Sequence, residues 1–122
     1  KKRMIGNFCF ECDFLKSDGF DGKIVGFENH SGRTYLGHAI KPLGKIVKGY
    51  GNNGEDGFEG AIFRNVYCSY SHGSLLPKNP HLTDHLITLA LKQKYKDFES
   101  LQKLDDQFEE LARKTMIQRI VG

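Results

Sequence analysis

His72 is the residue whose type and position best suit acid–base chemistry. It follows the alternating stretch Tyr67–Ser71, which predicts a strand, and Gly73 comes directly after it. A histidine at the carboxyl end of a strand lies at the rim of a sheet, where α/β proteins place their active sites. Gly73 has no side chain that would obstruct the imidazole. Because histidine exchanges protons near neutral pH, we interpret His72 as a candidate catalytic residue, with a surface loop histidine as the alternative.

A second polar cluster follows a short predicted strand, Ile24–Phe27. It consists of Glu28, Asn29, His30 and Arg33, all within one compact loop. Polar side chains at this density after a strand favour ligand contact over simple solvation. The alternative interpretation is a solvated loop.

The remaining groupings do not predict a metal site. Cys9 and Cys12 have CxxC spacing, but positions three apart on a strand point to opposite faces, and no second cysteine pair exists. We expect both thiols to be buried. His81 and His85 share a helix face, yet no glutamate lies between them as in HExxH, which favours a surface pair. The loop Asn52–Gly57 lacks the ligand alternation of a calcium loop and predicts a structural turn.

None of the three cysteines suits a nucleophile that His72 would serve. A nucleophile elbow needs small residues two positions away on each side, and Cys9, Cys12 and Cys68 all lack them. Cys68 shares a strand face with His72, but four residues along a strand span roughly 13 Å. If His72 is a base, we therefore expect its nucleophile to lie outside this chain.

The elements that must position these residues are strands first and helices last. Alternation and β-forming residues predict strands over Met4–Phe14, Ile24–Phe27, Lys45–Tyr50, Phe58–Phe63 and Val66–Tyr70. Helical periodicity begins at Pro80, with Asn79 as N-cap, and ends near Tyr95. Asp106 and Glu109 resemble a capping box for a second helix. Its apolar stripe contains Leu104, Phe108, Leu111, Ala112, Thr115 and Ile120. The chain thus divides into a strand-rich part, 1–72, and a helical part, 80–122.

Composition limits the classes of function. The 122 residues suffice for one domain, and the net charge of +3 is scattered apart from the cluster Lys1–Arg3, which argues against a nucleic-acid-binding protein. An odd number of cysteines without a signal peptide predicts reduced thiols and a cytoplasmic protein. No apolar run approaches the ~20 residues that a membrane-spanning helix needs.

Three stretches in order, Gly26–Thr34, Gly49–Gly60 and Tyr70–Pro80, resemble a known family. It is the class I glutamine amidotransferase domain of the cobyric-acid-synthase (CobB/CobQ) type, and within it the glutaminase subunit of lipid II isoglutaminyl synthase. The resemblance implies a flavodoxin-like α/β fold of which residues 1–122 form the C-terminal half. The half that bears the nucleophilic cysteine would be absent, so this chain alone is expected not to hydrolyse glutamine.

The resemblance also implies roles for particular residues. Family members hydrolyse glutamine to glutamate and ammonia through a cysteine thioester, and their catalytic histidine corresponds to His72. A substrate-binding arginine corresponds to Arg3, where a guanidinium would hold the α-carboxylate of glutamine. Asn29 and His30 would lie near the same pocket. No cofactor is expected in this subunit. Ser74 occupies the place of the acid that follows the histidine in other class I enzymes.

The partner and the acceptor of ammonia follow from the resemblance as well. Ammonia would pass to a Mur-ligase-like, ATP-dependent subunit that amidates the D-glutamate of the peptidoglycan stem. One alternative is the glutaminase domain of a corrinoid-amidating synthase, and another is a degenerate module that only binds a partner. The first strand is expected to present an unpaired edge, which predicts association of this chain with the rest of the domain or with a second copy of itself.

Overall fold

The computed structural model describes residues 2–17 and 19–122, and within them six strands and three α-helices. Lys1, from the basic cluster, and Asp18, from the first predicted turn, lie outside the described residues. The elements are β1 (Met4–Glu11), β2 (Lys23–His30), β3 (Gly44–Lys48), β4 (Phe58–Glu59), β5 (Ala61–Phe63), β6 (Val66–Cys68), α1 (Leu75–Lys78), α2 (Pro80–Lys94) and α3 (Gln107–Val121), with a 3-10 turn at Asp13–Leu15. The predicted mixed α/β class, with two long helices last, is confirmed.

The main sheet has the strand order β2-β1-β3-β4, and each neighbouring pair is antiparallel. β1 and β2 pair along their whole length, from Met4 opposite His30 to Glu11 opposite Lys23. The end of β1 also pairs with β3. The prediction of an unpaired edge on the first strand is wrong for Cys9–Glu11, which lie between β2 and β3, whereas no strand of the described residues pairs with Met4–Phe8 on the β3 side. Association through the β1 edge stays a prediction, restricted to the first half of the strand.

The strand Phe58–Phe63 expected from the sequence is two strands in two sheets. Gly60 separates β4 from β5 with a φ of 64°, in the region that favours glycine. A Cβ at this position would lie 2.1 Å from the main-chain oxygen of Cys68, which leaves no room for a side chain. The chain turns here from the main sheet into the β5–β6 hairpin. This hairpin carries the polypeptide toward His72.

The hydrophobic core lies where the sheet meets α2. Its largest fully buried side chains are Phe8, Phe10 and Ile24 from β1 and β2, and Leu82 supplies the contact from α2. Burial of a side chain of this size contributes about 1.5–3 kcal/mol. The helix start predicted at Pro80 is confirmed. The core therefore includes β2, an edge strand of the main sheet, as well as the internal strand β1.

Asn79 occupies the predicted N-cap position of α2 but makes no capping bond to that helix. Its fully buried side chain instead acts on β2: Nδ2 donates to the main-chain oxygen of Val25 at 2.8 Å, and the Val25 N–H donates to Oδ1 at 2.9 Å. Nδ2 also donates to the oxygen of Leu75 at 2.7 Å. The amide thereby replaces a neighbouring strand and attaches the start of α2 to the outer edge of β2.

α3 presents a different face to the sheet from the one its apolar stripe predicts. Phe108 is 81% exposed and Leu111 is 62% exposed, whereas Arg113 is only 3% exposed. Arg113 donates to the main-chain oxygen of Lys23 at 2.9 Å, and its guanidinium lies 4.7 Å from the ring centroid of Phe20. A charged residue with these partners anchors the helix. The predicted apolar stripe is therefore largely a surface feature.

The bonds of Asn79 predict a large effect of its removal on stability. Asn79→Ala leaves the N–H and C=O of Val25 without partners in a buried place, which should lower the free energy of unfolding by about 2–4 kcal/mol. Asn65→Ala, at an exposed turn position, should change it by less than about 0.5 kcal/mol. Urea unfolding followed by circular dichroism measures both. Equal values for the two variants would contradict the assigned role.

Candidate active site

His72 lies against the outer edge of β2 rather than at the end of a long strand. β6 ends at Cys68, and the chain then runs antiparallel to β2, with Ser71 bridged to Glu28 and the N–H of His72 donating to the oxygen of Phe27 at 2.8 Å. Gly26 makes this approach possible, since a Cβ there would lie 2.8 Å from Ser71 Oγ. The main chain of His72 is thus fixed while its side chain remains exposed.

The imidazole of His72 contacts the end of β2. Its Nε2 lies 3.1 Å from the main-chain oxygen of Asn29. A carbonyl oxygen only accepts hydrogen bonds, so Nε2 is the donor, and Nδ1 is the basic nitrogen of the neutral ring. The ring is exposed and therefore able to turn toward a substrate. It is held near Asn29 without being enclosed.

Asn29 connects His72 to Arg3. The Asn29 side chain accepts a hydrogen bond from Arg3 Nη1 at 2.8 Å, while its main-chain oxygen faces His72. The register of the first two strands sets this meeting, because Ile5 lies opposite Asn29 and Arg3 precedes β1 by one residue. Three of the four site residues expected from the sequence, His72, Asn29 and Arg3, therefore lie together at one end of the sheet.

His30 does not join the other three. Successive side chains of a strand point to opposite faces, so His30 projects away from the side of Asn29. It is buried, with Nε2 3.1 Å from Glu28 Oε2 and Nδ1 3.0 Å from the oxygen of Gly32, and its ring stacks on Tyr70 at 3.8 Å. Both ring nitrogens are engaged within the fold. A substrate contact by His30 stays a prediction that this geometry does not favour.

Glu28 organises the loop beside the site. Its carboxylate is 1% exposed and accepts hydrogen bonds from the N–H groups of Tyr50 at 2.7 Å and Gly51 at 3.0 Å, besides its contact with His30. These bonds attach the segment after β3 to β2. The sequence predicted ligand contact for Glu28, and the structure instead gives it an internal role. A charged residue buried with several donors is stable only as part of such a network.

Glu59 is a second buried carboxylate, with a role that was not predicted from the sequence. Its Oε1 accepts hydrogen bonds from Ser69 Oγ and from the N–H of Tyr70, both at 2.7 Å, so it positions the residues just before His72. Oε2 has no partner among residues 2–17 and 19–122. Burial raises the pKa of Glu59 above its ordinary value. Its position as a charged residue inside the predicted strand Phe58–Phe63 was the sequence feature that could have indicated a buried polar contact.

The part of the chain that the structure describes contains no cluster of three or more potential metal ligands. His81 and His85 have separate partners: the ring of His81 stacks on Phe20 with a centroid distance of 3.5 Å, and Nε2 of His85 lies 3.2 Å from the hydroxyl of Tyr67.

The turn predicted at Asn52–Gly57 is confirmed, with Asn53 Oδ1 accepting hydrogen bonds from two N–H groups of the same loop. None of the described helices is both long enough and apolar enough to cross a membrane.

Comparison with known proteins identifies the family. Residues 1–80 match the model of the CobB/CobQ-like glutamine amidotransferase domain. The chain belongs to this family. The amidotransferase match includes Arg3, Asn29 and His72, the three residues that meet at the end of the sheet, and it extends to the start of α2.

Two relatives are GatD subunits of lipid II isoglutaminyl synthase (glutamine-hydrolyzing). The protein from Staphylococcus aureus is 45% identical over 105 residues, covering 86% of this chain and 42% of the relative. The protein from Streptococcus pneumoniae is 48% identical over 81 residues, covering 66% of this chain and 31% of the relative. A probable cobyric acid synthase from Methanothermobacter thermautotrophicus is 34% identical over 119 residues, 97% of this chain and 21% of the relative. The chain thus spans less than half the length of these relatives.

Two of the three cysteines of this amidotransferase chain, Cys9 and Cys12, are poor nucleophiles. Cys9 and Cys12 are fully buried, as the sequence predicts, and burial raises their pKa values to about 11 and about 12. Both thiols are therefore protonated at neutral pH, whereas attack requires the thiolate. Cys68 is exposed at the end of β6.

The raised pKa of Glu59 predicts a pH-dependent effect on stability. Because the folded protein binds this proton more tightly than the unfolded chain, the contribution of Glu59 to stability falls as pH rises above about 4.3, the ordinary glutamate pKa. Glu59→Gln removes the ionisation and retains the Oε1 acceptor. We expect its melting temperature to exceed that of the wild type at pH 7, with the difference disappearing below about pH 4. Scanning calorimetry at several pH values measures this.

Glu99→Gln is the matched control, since Glu99 is exposed. It should leave the melting temperature nearly unchanged across the same pH range. A wild type that is more stable than Glu59→Gln at pH 7 would show that the ionised carboxylate is stabilised in the folded protein, and would contradict the prediction.

Proposed function

We propose that the full-length protein carrying this chain hydrolyses glutamine to glutamate and ammonia, with His72 as the acid–base residue and Arg3 binding the substrate carboxylate. One observation carries the proposal: the two oxygens of Asn29 bring Arg3 Nη1 and His72 Nε2 to one residue at the end of the sheet. A proton carrier beside a guanidinium suits a substrate with a reactive amide and a carboxylate. Membership of the amidotransferase family supports it.

The reaction in this proposal proceeds through a thioester. A cysteine thiolate from outside residues 1–122 attacks the side-chain carboxamide carbon of glutamine. Protonated His72 gives its proton to the departing nitrogen, which leaves as ammonia. Neutral His72 then takes a proton from the water that attacks the thioester, and it returns this proton to the cysteine sulfur as glutamate leaves.

We further propose that the ammonia is used by an ATP-dependent, Mur-ligase-like partner to amidate the D-glutamate of the peptidoglycan stem in the cytoplasm. Identities of 45% and 48% to subunits named for lipid II isoglutaminyl synthase support this acceptor. Amidation of a corrinoid is the second candidate, favoured by the match to a probable cobyric acid synthase along 97% of this chain. No cofactor is needed for the hydrolytic step in this subunit.

Replacement of His72 tests the catalytic assignment. In the full-length protein with its partner, His72→Ala should lower kcat for glutamine hydrolysis by about 10²–10⁴-fold with a nearly unchanged KM. His38→Ala, at an exposed loop position, should keep the wild-type rate. Ammonia release measures both. Retention of activity by His72→Ala within about tenfold of the wild type would rule out this role. A wild type that neither hydrolyses glutamine nor reacts with a glutamine-like diazoketone would favour the non-catalytic alternative.

Supplying each candidate acceptor to the same complex distinguishes the two proposed reactions. We expect glutamine- and ATP-dependent amide formation on a lipid-linked peptidoglycan precursor with a free D-glutamate carboxylate. We expect none on a corrinoid with free carboxylates, and mass spectrometry of the acceptor measures both. Amidation of the corrinoid alone would reverse the assignment.

A further inference from the structure

A small pocket adjoins Arg3 at the end of the sheet. Its volume is about 180 Å³, and it opens to solvent between the start of β1 and the loop that follows β3. The residues that line it are Lys2, Arg3, Met4, Arg33, Tyr50, Asn53, Gly54 and Glu55. Arg3 and Arg33 thus line the same pocket, and the proposed function assigns no role to Arg33.

The charges around this pocket favour an anion. Lys2, Arg3 and Arg33 contribute three cations, and Glu55 is the one carboxylate among the lining residues. The Tyr35 hydroxyl donates to Glu55 Oε2 at 2.8 Å, which occupies part of that acceptor. The excess of positive charge around a concave surface attracts a carboxylate or a similar anion.

Arg33 is held in place by one edge of its guanidinium. Nη1 donates to the main-chain oxygen of Asn53 at 3.1 Å and lies 3.2 Å from the sulfur of Met4. Nε and Nη2 make no hydrogen bond within the described part of the chain. A half-buried guanidinium fixed on one edge, with donors on the other, is preorganised to bind a carboxylate through two parallel hydrogen bonds.

The pocket lies next to the residues of the proposed reaction. Arg3 lines it and also donates to Asn29, which in turn contacts His72. An amino acid whose carboxylate lies between Arg3 and Arg33 would therefore contact a residue that Asn29 connects to His72. We propose that Arg33 is a specificity-determining residue that binds the α-carboxylate of the substrate amino acid together with Arg3. This inference rests on the proposed function.

A comparison of two substrates tests the inference in the full-length complex. L-Glutamine has an α-carboxylate, and L-glutaminamide has a neutral amide in its place. Arg33→Gln should lower kcat/KM for glutamine by about 10–100-fold, mainly through KM, because a charge-assisted bond is lost. It should leave kcat/KM for glutaminamide, measured as isoglutamine release, within about threefold. Arg64→Gln, on the exposed turn between β5 and β6, should affect neither substrate.

Arg33→Lys provides a second variant, which keeps the charge and loses the paired donors. We expect a smaller loss of kcat/KM, again confined to glutamine. Equal losses for the two substrates in either variant would show that Arg33 only supports the fold, and would overturn the inference, as would unchanged values for both. A wild type that hydrolyses neither substrate would instead refute the proposed function itself. Melting temperatures of all variants identify any loss caused by unfolding.

Discussion

The site depends on the use of both edges of β2. One edge pairs with β1 along its whole length, and the other holds the main chain of Ser71 and His72 and the side-chain amide of Asn79. Ser71 and His72 make main-chain hydrogen bonds to the outer edge of β2, so this segment before α2 behaves as an additional strand. Asn29, the second-last residue of β2, contacts Arg3 through its side chain and His72 through its main-chain oxygen. This convergence brings Arg3 and His72 to one place.

Two buried carboxylates hold the loops around that place. Glu28 binds the segment after β3, and Glu59 binds the segment before His72. Each carboxyl group accepts hydrogen bonds from N–H or hydroxyl donors of the loop that it positions, and these donors replace part of the water that burial removes. The two carboxylates differ in how fully they are hydrogen-bonded, because both oxygens of Glu28 have partners whereas only one oxygen of Glu59 has partners among the described residues. The two loops are therefore positioned by polar contacts rather than by the hydrophobic core.

Local patterns in the sequence predicted the order of elements, the start of α2 and the buried cysteines. The meeting of Arg3 with His72 was expected from the family resemblance rather than from spacing, because the two residues approach only through strand pairing. The inward position of His30 and the buried Arg113 were not predictable. The ring of His30 stacks on Tyr70, and Arg113 bonds to the main chain of Lys23, so each depends on a contact 40 or 90 residues away in the sequence, although the ring nitrogens of His30 also have local partners. Propensity and periodicity carry no information about such partners.

A structure of the full-length protein covalently trapped with a glutamine-like diazoketone would test the central claim most directly. We expect the adduct to lie at the end of β2, with the His72 ring within hydrogen-bonding distance of a group attached to the carbon that reacts with the cysteine. Its α-carboxylate should be held by Arg3. An adduct that forms but lies away from His72 and Arg3 would contradict the account, since the convergence on Asn29 would then have no part in catalysis.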